Sequence, residues 1–256
     1  MLFSERQGTG PDVVLVHGFL GSGKIFEPLT KHLLGHFTVT TIDLPGFAGS
    51  IGVPVPPSVE ALSELVIDTI RELGIEKCSV LGHSLGAWIA LEISLQQPEL
   101  LARMVLYGGS ADGYCPERFE SYEASIERIE AQGIAAFSAD LAAEWFRHGK
   151  QDPNYSVAQA AGLESDQSAA IDHVRTWNSW KARHRLGEVE TPALIVCGDS
   201  DRSTHPDLSI EMWRNIAGSQ LCIVPNAGHA AHLEVPGEFN GLVTRFLGAD
   251  RGCSPL

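Results

Sequence analysis

The chain has 256 residues, of which 44% are hydrophobic and 20% are charged, and its formal net charge is −14. This length can bury a substantial core in one larger domain, or in one domain that carries an insertion, so folding is not expected to depend on disulfides or metals. The negative charge repels phosphate groups, which argues against nucleic acid or an anionic membrane as a partner.

The cysteines and the N-terminus predict a compartment. Cys78, Cys197 and Cys222 lie in apolar, strand-like runs, and the total of five cysteines is odd. This pattern favours reduced, buried thiols. The first residues lack the basic head, apolar centre and cleavage site of an export signal, and no apolar run approaches ~18 residues. We therefore expect a soluble, cytoplasmic protein.

Strands and helices alternate through the first part of the chain. The predicted strands are residues 12–16, 37–42, 78–81 and 102–107, and the predicted helices are residues 25–34, 58–73 and 87–93. Ser58 is a suitable N-cap for the second helix, and Gly74 is a suitable stop. Unbroken apolar strands between helices are typical of a mostly parallel, doubly wound α/β sheet that is covered on both faces.

The alternation stops between residues 112 and 190. This stretch is rich in Ala, Glu and Gln with scattered aromatic residues, and it predicts several helices without a clear strand. The alternation then resumes with a strand at 192–198, a helix at 209–216, a strand at 220–224 and a helix at 234–247, before a tail that is expected to be loose. We expect residues 1–111 and 191–256 to form the core, with 112–190 as a helical lid over one end of the sheet.

The sequence Gly82-His83-Ser84-Leu85-Gly86 lies at a strand-to-helix junction. Small residues on both sides of Ser84 permit a tight turn from which the serine points outward, ready to attack. An ordinary turn could have the same letters. The significance of the motif therefore depends on the residues that other strand ends supply.

A serine hydroxyl becomes a strong nucleophile only when a base takes its proton, and that base needs a carboxylate to orient it. His229 follows the last predicted strand, and Asp201 follows the strand before it. The chain order Ser, Asp, His is the one expected of a nucleophile-elbow hydrolase. Asp199 and Asp112, which also follow strands, remain alternative acids because loop conformation decides among them.

Two further motifs suggest other ligands. The pair His229 and His232 has the spacing of some metal sites, but no Asp, Glu or Cys joins it at a recognised spacing. Residues 18–25 nearly match a phosphate-binding loop, but Ile25 stands where Ser or Thr would hold Mg²⁺. The glycines are better interpreted as a flexible loop beside the serine, and no metal or cofactor is expected.

Taken together, the motifs resemble those of the α/β-hydrolase superfamily over nearly the whole chain. The matching pieces are His17-Gly18-Phe19, residues 43–50, the Ser84 motif, Gly198-x-x-Asp201, Gly228-His229 and Glu234-x-Pro236. The resemblance implies an α/β-hydrolase fold with a helical lid. It also implies Ser84 as nucleophile, His229 as base, Asp201 as orienting acid, and the backbone N–H groups of Phe19 and Leu85 as an oxyanion hole. Ala48 departs from the pattern, because many relatives have glycine there.

Three tryptophans are candidates for the pocket wall. Trp88 lies four residues after Ser84, and Trp177 and Trp180 are predicted to share one face of a helix in the lid. They could equally pack the lid onto the sheet. If they line the pocket, they should form an apolar surface above Ser84.

These features predict a cofactor-independent serine hydrolase that cleaves a carboxylic ester, lactone or activated carbonyl of a small molecule through an acyl-enzyme. Local motifs resemble the menaquinone-pathway lyase, pimeloyl-ester esterase and 3-oxoadipate enol-lactonase families. The alternatives are a lyase or C–C bond hydrolase with the same triad, and a small-molecule receptor with slow turnover. The substrate's identity and the oligomeric state do not follow from the sequence.

Overall fold

The protein is described by a computed structural model that covers residues 1–113, 115 and 118–248. Its sheet has seven strands in the order β1-β3-β2-β4-β5-β6-β7, and β1 is antiparallel to its neighbour whereas every other pair is parallel. The strands are β1 Ser4–Gly8, β2 Asp12–Val16, β3 Thr38–Ile42, β4 Cys78–His83, β5 Leu101–Tyr107, β6 Ala193–Gly198 and β7 Gln220–Val224. The prediction of a mostly parallel α/β sheet is confirmed.

Helices cover both faces of this sheet. They are α1 Glu27–Leu33, α2 Val59–Glu72, α3 Leu85–Gln96, α4 Tyr122–Gln132, α5 Ile134–Trp145, α6 Tyr155–Leu163, α7 Gln167–Trp177, α8 Pro206–Asn215, α9 Ala231–Glu234 and α10 Pro236–Leu247. Successive residues of β2 point to opposite faces, so Val14 joins the core beneath α2 and α3, and Leu15 joins the core beneath α1 and α10.

The predicted boundaries of α2 are confirmed. The Ser58 side chain accepts a hydrogen bond from the Ala61 backbone N–H at 3.2 Å, which satisfies one of the free donors of the first turn. Gly74 follows the helix with φ of 73°, a left-handed conformation that glycine adopts without strain.

Strand β1 was not predicted. Residues Ser4–Gly8 are polar, and all but the first of them are exposed at the edge of the sheet, where they pair with β3. Because neither face of this strand is buried, its sequence lacks the alternation of apolar and polar residues that identifies a strand.

Helices α4 to α7 lie between β5 and β6, and no strand occurs there among the described residues. Several helices were expected in this stretch, although the division of the chain at 111/112 and 190/191 remains a prediction. Helix α7 ends at Trp177, so the expectation that Trp180 shares a helical face with Trp177 is wrong. The predicted loose tail lies outside the described residues from 249 onward.

Two other predictions concern the cysteines and membranes. Cys78 and Cys197 are buried as free thiols, and Cys222 is a half-buried free thiol. Within residues 1–113, 115 and 118–248, no helix has the length and apolar character needed to cross a bilayer.

Candidate active site

Ser84 lies on a strained turn between β4 and α3. Its φ of 56° and ψ of −116° fall outside the regions that residues with side chains prefer, a strain of about 1–3 kcal/mol that surrounding structure must support. A side chain at Gly82 would overlap the Gly86 carbonyl, and one at Gly86 would overlap the Val16 carbonyl. Both glycines are therefore required by close backbone packing, which holds Ser84 at the carboxyl edge of the sheet.

A buried carboxylate contacts His229 from the loop after β6. Asp201 Oδ2 lies 2.8 Å from His229 Nδ1, and both side chains are almost fully buried. Asp201 Oδ1 accepts the backbone N–H groups of Ser203 at 2.8 Å and Thr204 at 2.9 Å, and Thr204 Oγ1 lies 3.0 Å from Oδ2. These bonds orient the carboxylate toward His229 Nδ1. With an N–H on Nδ1 donating to Asp201, Nε2 is the ring nitrogen that can act as a base.

The two alternative acids lie elsewhere. Asp199 accepts the Asn226 N–H at 2.9 Å and the Ala227 N–H at 3.3 Å, and these contacts hold the pKa of its carboxyl below the usual value. Asp112 forms an ion pair with Arg183 at 3.3 Å. The structure brings Asp201, and neither alternative, against His229.

The backbone of His229 is held from below by two buried side chains. Tyr107 Oη donates to the His229 carbonyl oxygen at 2.8 Å, and His83 Nε2 lies 3.0 Å from the same oxygen. His232 Nδ1 in turn lies 3.0 Å from Tyr107 Oη. His232 is therefore part of the support beneath His229, and it is not among the described residues that line the Ser84 pocket.

Ser84 and His229 line one pocket, whose wall includes six Phe, Tyr or Trp side chains. Trp88 and Trp177 line it, whereas Trp180 is not among its lining residues and donates from Nε1 to Glu92 at 3.2 Å. The wall also contains residues that the sequence analysis did not assign to the site, namely Cys115, Arg118, Phe119, Tyr122, Leu141, Trp145, Ser203 and Thr204. Most of these lie in the helical segment, where no motif indicates which residues turn toward the serine.

The backbone positions expected to form an oxyanion hole also line this pocket. Phe19 follows β2, and Leu85 is the first residue of α3, where the helix leaves its N–H groups without intrahelical acceptors. In the described part of the chain neither N–H donates a hydrogen bond. Gly18 has no room for a side chain because Ser84 Cβ would lie 2.8 Å away, which explains the glycine before Phe19.

The loop that resembles a phosphate site has a different role. The Gly23 N–H donates to Asp43 Oδ1 at 2.7 Å, and Lys24 forms an exposed ion pair with Glu164 at 2.7 Å. A carboxylate therefore lies where a nucleotide phosphate would have to bind, and the lysine points to the surface. Ala48 has φ of 42°, a left-handed conformation that glycine adopts with less strain.

The end of α5 is bonded to the loop that carries His229. The Trp145 carbonyl accepts the Ala230 N–H at 2.9 Å. The Glu234 carboxylate accepts the Arg147 N–H at 2.7 Å and the Gly228 N–H at 2.5 Å. The helical segment thus fixes the position of His229 as well as forming the wall above Ser84.

The buried histidines predict a loss of stability in acid. Burial lowers the pKa of His232 to about 3 and of His173 to about 4, and burial beside His229 and His232 holds the pKa of His83 well below its usual value. These groups stay neutral when folded but bind protons when unfolded below pH 6.5, so stability falls as pH decreases from about 6.5 towards 4. At pH 5 His232 and His173 should each cost about 2 kcal/mol of stability.

This prediction is checked by denaturant unfolding at pH 7.5 and pH 5.0. His173→Phe should remove about 2 kcal/mol of the difference, because Phe keeps the packing against Phe47 without a titrating nitrogen. The exposed His205 is the matched control, and His205→Gln should leave the difference unchanged. Equal unfolding free energies at the two pH values would contradict the assignment of neutral buried histidines.

Comparison with known proteins identifies the family. The model of the alpha/beta hydrolase family matches residues 13–242. The chain belongs to the alpha/beta hydrolase family. This confirms the resemblance noted in the sequence and the prediction that the protein is an enzyme of the hydrolase class.

Several members of the alpha/beta hydrolase family are similar over almost their whole length. A putative carbamate hydrolase, RutD, of Agrobacterium fabrum is 27% identical over 249 residues, which cover 93% of each chain. A pimeloyl-[acyl-carrier protein] methyl ester esterase of Nitrosospira multiformis is 24% identical. The match covers 96% of this chain and 97% of the esterase. The crystal structure of an enol-lactonase from Burkholderia xenovorans has a TM-score of 0.88 at 20% identity, covers 96% of each chain, and shows the same fold.

Proposed function

We propose that this protein hydrolyses a carboxylic ester, or a lactone or similarly activated carbonyl, of a small molecule through an acyl-enzyme, without a cofactor. The observation that carries this proposal is that His229, paired with the buried Asp201, lines the same pocket as Ser84. A base oriented by a carboxylate next to a serine on a strained turn has the arrangement that acyl transfer requires. The relatives named for carbamate and methyl ester hydrolysis support the same bond class.

The reaction begins when Ser84 Oγ attacks the substrate carbonyl while His229 Nε2 takes the hydroxyl proton. Asp201 stabilises the imidazolium that forms, and the N–H groups of Phe19 and Leu85 donate to the carbonyl oxygen as it becomes negative. The tetrahedral intermediate collapses when His229 returns the proton to the leaving alcohol. Water, activated by His229, then attacks the acyl-enzyme and releases the acid and the free serine.

The proposal is tested by labelling and by turnover. The purified protein should react with a fluorophosphonate probe, and mass spectrometry of the digested protein should place the label on Ser84. It should also hydrolyse p-nitrophenyl butyrate over many turnovers. A label at another residue, or no reaction of the folded protein with either reagent, would contradict the proposal.

The same experiments separate the two alternatives. A receptor with slow turnover would be labelled at Ser84 but would release product only once per molecule. A lyase or C–C bond hydrolase with the same triad would remove a proton from carbon or cleave a C–C bond in its own substrate, and would leave simple esters intact. A cytoplasmic location is part of the proposal, and fractionation of cells that express the protein would test it.

A further inference from the structure

The pocket that contains Ser84 has one arginine in its wall. Arg118 lies on the segment before α4, and no other Lys or Arg lines the pocket among the described residues. The lining residues that Arg118 stacks against are Phe119 and Tyr122. A positive charge in such a setting is costly unless something compensates it.

Arg118 is fixed in place by contacts with neutral groups. Its Nη1 donates to the Glu120 carbonyl oxygen at 2.9 Å and to Ser125 Oγ at 2.8 Å. The centre of its guanidinium lies 4.3 Å from the centroid of the Phe119 ring and 4.9 Å from that of Tyr122. Stacking and two hydrogen bonds therefore hold the planar group before any ligand binds, which lowers the entropic cost of binding one.

The remaining donors of this guanidinium have no partner within the described part of the chain. Neither Nε nor Nη2 of Arg118 forms a hydrogen bond or an ion pair there. The nearby carboxylate of Glu120 is engaged elsewhere, since Oε1 accepts from Ser125 at 2.6 Å and Oε2 pairs with Arg128 at 2.8 Å. Burial lowers the pKa of Arg118, as expected for a charge removed from water without full compensation.

We propose that the substrate carries a carboxylate separate from the carbonyl that Ser84 attacks, and that Arg118 binds this carboxylate. The fork of N–H groups on a guanidinium matches the two oxygens of a carboxylate. One arginine neutralises one carboxylate, whereas a phosphate ester would bring a second negative charge against an aromatic wall that has no other Lys or Arg among the described residues. This inference rests on the proposed hydrolysis for the identity of the reacting carbonyl.

The kinetic test uses two esters that differ only at the far end. Mono-p-nitrophenyl adipate ends in a carboxylate where p-nitrophenyl hexanoate ends in a methyl group. Esters with shorter and longer acyl chains vary the distance between the carbonyl that Ser84 attacks and this carboxylate. The wild type should have the higher kcat/KM with the acid ester, and Arg118→Met should lower the ratio of the two kcat/KM values roughly 10–100-fold. Arg118→Lys keeps the charge without the planar fork, so its ratio of kcat/KM values should lie between those of the wild type and Arg118→Met.

Arg175 provides the matched control. It also lies in the helical segment, on α7, but it pairs with Asp172 at 3.4 Å on the surface and does not line the Ser84 pocket. Arg175→Met changes the net charge by the same amount and should keep the wild-type ratio. An equal fall in both variants would assign the effect to overall charge and would overturn the proposal.

A binding measurement separates this inference from the proposed reaction. Adipamic acid and hexanamide differ in the same way as the two esters, and calorimetry with the wild type does not depend on turnover. Tighter binding of adipamic acid that Arg118→Met removes would support the carboxylate site even if neither ester were cleaved, an outcome that would count against ester hydrolysis only. The carboxylate site would be overturned if the wild type bound the two amides equally and cleaved acid and methyl-ended esters with equal kcat/KM at every chain length. This outcome does not depend on whether Arg118→Met folds.

Discussion

Ser84→Ala should lower kcat for p-nitrophenyl butyrate by about 10⁴–10⁶-fold and abolish labelling by a fluorophosphonate. Alanine removes the attacking oxygen while leaving the turn, because the strained conformation is imposed by the close approach of Gly82 and Gly86 to neighbouring backbone. The variant should fold and melt like the wild type. Initial rates at matched protein concentrations, together with the labelled fraction, measure the effect.

Ser203→Ala is the matched control for this substitution. Ser203 lines the same pocket, and alanine retains its backbone N–H, which donates to Asp201 at 2.8 Å. This variant should keep most of the activity and all of the labelling. Turnover by Ser84→Ala at a rate close to that of the wild type would show that Ser84 is not the nucleophile.

Asp201→Asn should lower kcat by about 10⁴-fold, the second largest effect that we expect. An asparagine in this position can present an N–H to His229 Nδ1, which would favour the tautomer that carries its proton on Nε2 and cannot accept the proton of Ser84. The loss should appear in kcat more than in KM, because Asp201 acts through His229 and does not line the pocket.

Asp199→Asn distinguishes the two neighbouring acids. Asp199 binds backbone N–H groups of the loop after β7, so its substitution should cost some stability while leaving kcat within about an order of magnitude of the wild type. If Asp199→Asn lowered kcat more than Asp201→Asn does, Asp199 and not Asp201 would be the residue that orients His229.

The parts of the site that the sequence predicts share one physical origin. Strands in a parallel sheet place their carboxyl ends along one edge, so residues that follow different strands meet there even when they are distant in the chain. Ser84, Asp201 and His229 each follow such a strand, and short apolar runs make those strands visible in the sequence. The choice of Asp201 over Asp199 needed the loop itself, because two residues of backbone decide which carboxylate reaches His229.

The features that the sequence does not predict have no local pattern in the chain. Arg118, Phe119 and Tyr122 line the pocket because the helical segment folds back over the sheet, and this depends on contacts between residues far apart in the sequence. Trp180 was grouped with Trp177 by helical spacing, but the helix ends first and Trp180 turns to Glu92 instead. Strand β1 is exposed at an edge, so burial leaves no pattern in its residues.

The hydrogen bonds between the end of α5 and the His229 loop limit how this enzyme can be altered. Trp145 and Arg147 belong to the segment that shapes the pocket, yet their backbone groups bind Ala230 and Glu234 beside the base. A chimera that receives the helical segment of another family member would lose these bonds unless it retained them at the splice. Side-chain changes on the existing helices are therefore the route to a new specificity that leaves the support of His229 in place.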